Sequence, residues 1–216
     1  MDLLNNENID FAWICGYPFV QPRDPEFLNL LTVPVYRGQP LYHSYIIVHQ
    51  DSSYKSLEDL RSQVFAFSDP DSNSGFLYPT TLLSAQGESS NSFFRQTFFT
   101  FNHAETVQAV AERVADGGAV DSYIWEYMAA YQPEITKKTR IIKTSPAFGF
   151  PPLVFRLGSD PEMAGLMKKV LENMDQDPEG ERLLETLKLD RFEDHPRSLY
   201  LDILAMSNRT KNSNSR

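Results

Sequence analysis

Short β-rich apolar runs alternate with helix-patterned segments along almost the whole chain, and this alternation limits the fold more than any other feature. The runs at 9–15, 28–36, 43–49, 64–68, 96–101, 140–144 and 153–157 read as strands. Helical patterns fill 56–61, 75–85, 104–115, 122–131, 161–174, 178–187 and 199–207. Such alternation predicts α/β units with mostly parallel strands. Local signals agree. Ser56-Leu57-Glu58-Asp59 resembles a capping box, and Asp160-Pro161 and Asp177-Pro178 each place an N-cap before a first-turn proline. Val107, Val110, Ala111 and Val114 share one helical face. The polar end of the chain, from residue 207, lacks large apolar groups and reads as a disordered tail.

With 216 residues, the chain is roughly one to one and a half domains long and needs no disulfide to hold a core. Its single cysteine, Cys15, allows no internal disulfide. A net charge of -9, from 29 acidic and 20 basic residues, argues against non-specific binding to nucleic acid or an anionic membrane. It leaves room for a small anion held locally by backbone amides and hydroxyls. No apolar run approaches the ~18 residues of a membrane span. The first residues lack the basic and apolar pattern of a signal peptide. Met1 as the true start would therefore predict a cytoplasmic protein.

The segment FAFSDPDSNSGF at 65–76 carries the strongest chemical signal. An apolar strand enters a polar turn, and a helical pattern follows. Amides at such a helix start point outward along the positive end of the dipole, and the Ser72 and Ser74 hydroxyls add donors. Gly75 would let a ligand approach the backbone. A plain Ser/Asn turn and N-cap is the competing reading. The segment has no Gly-Lys-Ser/Thr, so it is not a Walker loop. Pro79 predicts either a kink or the start of a second helical piece. His103 follows a strand, at the end where α/β sheets bind ligands, and could donate to an anion oxygen. Asp116 and Asp121 flank GGAV at 117–120. A carboxylate there suits a ligand that is protonated or carries an amine. Tyr17 and Tyr42, near strand boundaries, can offer a hydroxyl and an apolar wall together. His43, His49, His103 and His195 have no metal-ligand spacing, and nothing implies a cofactor. Ser74, His103 and Asp121 can be drawn as a hydrolytic trio, but no nucleophile elbow accompanies them.

Taken in order, four stretches resemble the phosphate/phosphite/phosphonate substrate-binding proteins of ABC transporters. DFAW at 10–13 with Gly16-Tyr17 is similar to the family's strand and tyrosine-bearing loop in its first lobe. YHSYIIV at 42–48, followed by SLEDL at 56–60, resembles its hinge strand and what succeeds it. SDPDSNSG at 68–75 resembles the Ser-Thr-Ser-Gly loop that holds phosphonate oxygens, with Asn73 in place of threonine. His103, with Ala109-Val110 and AVDS at 119–122, resembles its ligand-facing histidine and acidic segment.

The resemblance implies a periplasmic-binding-protein-like (type II) two-lobe α/β fold that closes on an anion by hinge bending. Lobe 1 would comprise 1–42 plus 145–205, without the family's first strand–helix–strand. Lobe 2 would be 43–144, with 206–216 as the tail. Ser72, Asn73, Ser74 and Gly75 would hold the anion with His103. Tyr42 and Tyr17 would bond from the hinge side and from lobe 1, and Asp121 would meet a ligand hydroxyl or amine. The implied partners are a small oxyanion and a membrane permease, the protein being a monomer at the periplasmic or cell surface. Other readings stay open: a sensor module of the same fold, a truncated relic that binds nothing, and the Ser/His/Asp hydrolase.

Overall fold

In the computed structural model of the protein, residues 1–21 and 27–213 are described, with side chains for all of these but 211–213. The chain forms two compact units, Met1–Tyr42 with Phe148–Leu204 and His43–Ala147 with Ala205–Arg216. In chain order its elements begin α1 (Asp2–Asn5), β1 (Phe11–Trp13), α2 (Gly16–Val20), β2 (Leu28–Val35), β3 (Leu41–Tyr42) and β4 (Ser44–His49). Then come β5 (Val64–Phe67), α3 (Tyr78–Ser84), α4 (Ser90–Phe93), β6 (Gln96–Phe99), α5 (His103–Ala111), β7 (Gly117–Asp121), α6 (Ser122–Tyr131) and α7 (Pro133–Thr136). The chain continues through β8 (Thr139–Thr144), β9 (Phe148–Gly149), β10 (Leu153–Arg156), α8 (Pro161–Glu172), α9 (Pro178–Leu187), β11 (Arg191–Glu193) and α10 (Leu201–Ser213).

The second unit matches the expectation of codirectional strands, with one exception. Its sheet has the order β6-β5-β7-β4-β8. β5 runs parallel to β6 and β7, while β4 runs antiparallel to both β7 and β8. Four strands therefore point one way, and β4 lies reversed among them. The first unit departs from the expectation altogether. Its sheet, β1-β10-β2-β11, is antiparallel throughout. Strands from the two separated chain segments interleave there, so neighbours are not joined by the helical crossovers that parallel pairing requires.

Period-2 alternation builds the core of the second unit. Ile46, Val48, Phe65, Phe67 and Ala119 face one side, with Leu83 of α3, Phe93 of α4 and Phe94. Ile47, Ala66 and Val120 face the other, with Val107 and Val110 of α5 and Met128 of α6. Both sheet faces are thus covered by helices, as an α/β sheet demands. Of the predicted α5 face, Val107, Val110 and Ala111 are buried, but Val114 is exposed. The helix ends at Ala111, and Arg113 turns left-handed (φ 62°).

The predicted disordered tail is instead helical through Ser213. Ile203, Met206 and Ser207 are buried at helical spacing, and the Thr210 hydroxyl contacts that of Thr81 at 3.1 Å. Polar composition hid this stripe. Residues 214–216 of that expected tail lie outside the described residues.

Candidate functional site

β5 delivers the chain into the serine turn. Ser72 N-caps the segment after it: its Oγ accepts from the Gly75 amide at 2.9 Å. The next five residues, Asn73–Leu77, form a π turn that continues directly into α3. Pro79 falls in the first turn of α3, where its missing N–H costs little. Of the two outcomes expected at Pro79, the start of a second helical piece is the one observed. Ser72, Asn73 and Ser74 are all buried. The Ser74 carbonyl accepts from Ser44 Oγ at 2.6 Å. The Ser74 hydroxyl is buried and has no hydrogen-bond partner among the described residues. A buried hydroxyl without a partner costs roughly 1–3 kcal/mol, so its presence calls for a reason.

His103 opens α5, with Asn102 as the N-cap. The Asp121 amide donates to its Nδ1 at 3.1 Å, and Ser68 Oγ lies 2.9 Å from the same atom. A backbone N–H can only donate, so Nδ1 is an acceptor and the neutral ring carries its proton on Nε2. Nε2 lies 3.5 Å from Ser72 Oγ. Burial pushes the imidazole down to about 4, which keeps it neutral at physiological pH. The ring therefore presents an uncharged donor on the side of the serine turn.

Asp121 ends β7 and N-caps α6, its Oδ1 accepting from the amides of Tyr123 (2.7 Å) and Ile124 (3.3 Å). Burial raises its carboxyl to about 7, against the lowering pull of those two amides and with help from the Glu126 charge. Such a group holds its proton up to near-neutral pH. Ser68 and His103 sit just beyond the carboxyl ends of β5 and β6, and Asp121 is the last residue of β7, at the edge where α/β sheets bind ligands.

The structure gives Gly75 a different reason from the one read in the sequence. A Cβ there would stand 2.1 Å from Ser68 Oγ and 3.1 Å from Ser72 Oγ, so the space is filled by protein and not kept for a ligand. Ser72, Asn73, Ser74, Gly75, His103 and Asp121 are brought together in the second unit. Tyr17, half-buried in α2, and Tyr42, buried with its hydroxyl 3.8 Å from Cys15 Sγ, belong to the first. The sequence reading missed two residues of this neighbourhood, Ser44 and Ser68. Both are serines inside or beside apolar strands, and a buried polar residue in such a run is the signal that could have found them.

The Ser74–His103–Asp121 trio does not form the hydrolytic arrangement. A triad needs Nδ1–H donating to the carboxylate. Here Nδ1 accepts from the Asp121 main chain, the carboxyl caps a helix, and Nε2 faces Ser72. Among the described residues no group of three or more His, Cys, Asp or Glu is placed to hold a metal ion.

Residues 1–200 match the family described as ABC transporter, phosphonate, periplasmic substrate-binding protein. The chain belongs to this family. The phosphonate substrate-binding family comprises binding proteins rather than enzymes, in keeping with the missing triad geometry. A curated relative, the phosphonates-binding periplasmic protein of Escherichia coli, is 29% identical over 154 residues. That match covers 69% of this chain and 45% of the relative, so the chain spans less than half of the relative's length. A binding-protein component of a phosphonate ABC transporter from Pseudomonas aeruginosa superposes with a TM-score of 0.90 at 23% identity, over 99% of this chain and 72% of that one. A Prochlorococcus marinus protein solved with methylphosphonate gives 0.83 at 20% identity, over 97% and 81%. These likenesses establish the α/β fold of type II periplasmic binding proteins for this member of the phosphonate-binding family. No helix among the described residues is long and apolar enough to cross a membrane.

Proposed function

We propose that the chain binds a small tetrahedral oxyanion, a phosphonate, phosphite or phosphate, as the solute-binding component of an ABC transporter at the periplasmic or cell surface. The observation that carries this reading is the Ser74 hydroxyl, buried and without a partner among the described residues, in a helix-start turn beside the neutral Nε2–H of His103. Hydroxyls and first-turn amides of 72–74, with that imidazole proton, supply several neutral donors. Neutral donors in a dry site can hold a charged oxygen without an arginine. Asp121 resolves its own apparent conflict with an anion. A carboxyl that keeps its proton to near pH 7 can donate it to a phosphonate oxygen, or release it to meet an amine or hydroxyl on the ligand. On this reading the loaded form docks on a membrane permease.

Calorimetric titration of the folded chain with phosphate, phosphite, methylphosphonate and 2-aminoethylphosphonate tests the proposal. Saturable heat with at least one supports it; no heat with any of the four overturns it.

A further inference from the structure

Ser68 has no place among the anion-holding residues assigned above, yet it touches the His103 ring directly. Its Oγ lies 2.9 Å from His103 Nδ1 and 2.8 Å from the Ala119 carbonyl, so its one proton is shared between these two acceptors. It is fully buried, at the carboxyl end of β5. Its oxygen fills the space left by the missing side chain of Gly75. The Asp121 amide meets Nδ1 as well, at 3.1 Å. Two groups fixed by neighbouring strands, β5 and β7, therefore bracket one ring nitrogen.

We propose that Ser68 is a positioning residue for the oxyanion site, holding the His103 ring so that its single proton, on Nε2, faces the Ser72 turn. The Asp121 amide alone settles which nitrogen bears the proton, because a main-chain N–H has nothing to accept with. It does not settle the ring's tilt, since one contact leaves rotation about it. The Ser68 hydroxyl is the second contact, and Gly75 on its far side limits where that hydroxyl can go. Binding groups need such support, because a donor aimed tens of degrees away loses most of its bond. The consequence for binding rests on the oxyanion reading; the geometry of the ring does not.

The test begins with the unliganded wild-type chain, by 15N NMR of the imidazoles. The expected pattern is one neutral form of His103, with Nδ1 as acceptor and Nε2 protonated; a proton on Nδ1 overturns the proposal without any variant. Methylphosphonate affinity is then measured for S68A, H103A and the double variant. S68A alone should weaken binding roughly three- to tenfold, the range for one neutral hydrogen bond. In the H103A background the same change should have an effect below about twofold, because contacts that act through one residue are not additive. Equal factors in both backgrounds would show that Ser68 does not work through His103 and overturn the assignment. Should the wild type bind no oxyanion, the functional reading fails on its own, and the S68A imidazole spectrum still decides. Averaged or shifted His103 signals support positioning; unchanged signals overturn it.

Discussion

Ser68 Oγ occupies the position a side chain on Gly75 would need, 2.1 Å from where its first carbon would stand. The two residues are a matched pair: one supplies a hydroxyl to His103, and the other supplies the room for it. Overpacking a filled interior costs about 1–3 kcal/mol. Gly75→Ala should lower stability by about that much in urea unfolding. With Ser68→Gly, which empties the space, the added cost of Gly75→Ala should fall by more than half. An unchanged cost in that background would place the clash elsewhere.

The opposed titrations of His103 and Asp121 predict a specific pH behaviour. His103 is pushed down to about 4 in the folded chain, so the unfolded chain takes up its proton first. Its contribution makes stability rise with pH between about 4 and 6.5. Asp121 is raised to about 7, so the folded chain keeps a proton that the unfolded chain has lost. Its contribution is full below about 3.9 and is lost as pH rises through about 7. In the wild type the two slopes oppose each other. Asp121→Asn should uncover the histidine slope, with stability rising from pH 4 to 6.5. His103→Gln should uncover the aspartate slope, with stability falling from pH 4 to 7. Parallel profiles for both variants and the wild type would contradict these assignments.

Ser44 is buried, and its hydroxyl donates to the Ser74 carbonyl at 2.6 Å, so strand β4 ties down the serine turn. Its amide in turn accepts no freedom, donating to Ser145 Oγ at 2.8 Å. Ser44→Ala should cost about 1–3 kcal/mol, the penalty of a buried acceptor that loses its donor. The unfolding midpoint in urea reads this directly, and a midpoint unmoved would mean that the turn holds itself.

Much of the fold was legible because it rests on local pattern. Alternating apolar residues marked β2, β4, β5 and β10, and the Asp-Pro caps marked α8 and α9 to within two residues. β7 was not legible. The apolar-run pattern marks no strand at 117–121, yet GGAVD is a central strand. A Cβ on Gly118 would lie 2.7 Å from Thr106 Cγ2, so this glycine serves close packing of α5 on the sheet. The serine turn and His103 could be read as a site because each follows a patterned strand, and Asp121 through the resemblance of AVDS at 119–122 to the family's acidic segment. The roles of Ser44 and Ser68 could not, since they depend on contacts 30 and 35 residues away in sequence. The antiparallel first unit was hidden for a similar reason: β10 inserts between β1 and β2 from more than a hundred residues downstream.

The central claim is that the turn at 72–74 and His103 grip one oxyanion together. Methylphosphonate titration of the wild type, Ser74→Ala and His103→Ala tests it most directly. Each variant should weaken binding by about 1–3 kcal/mol, roughly five- to 150-fold, because each leaves an anion oxygen short of a donor in a buried site. Wild-type affinity retained in both folded variants would contradict the claim.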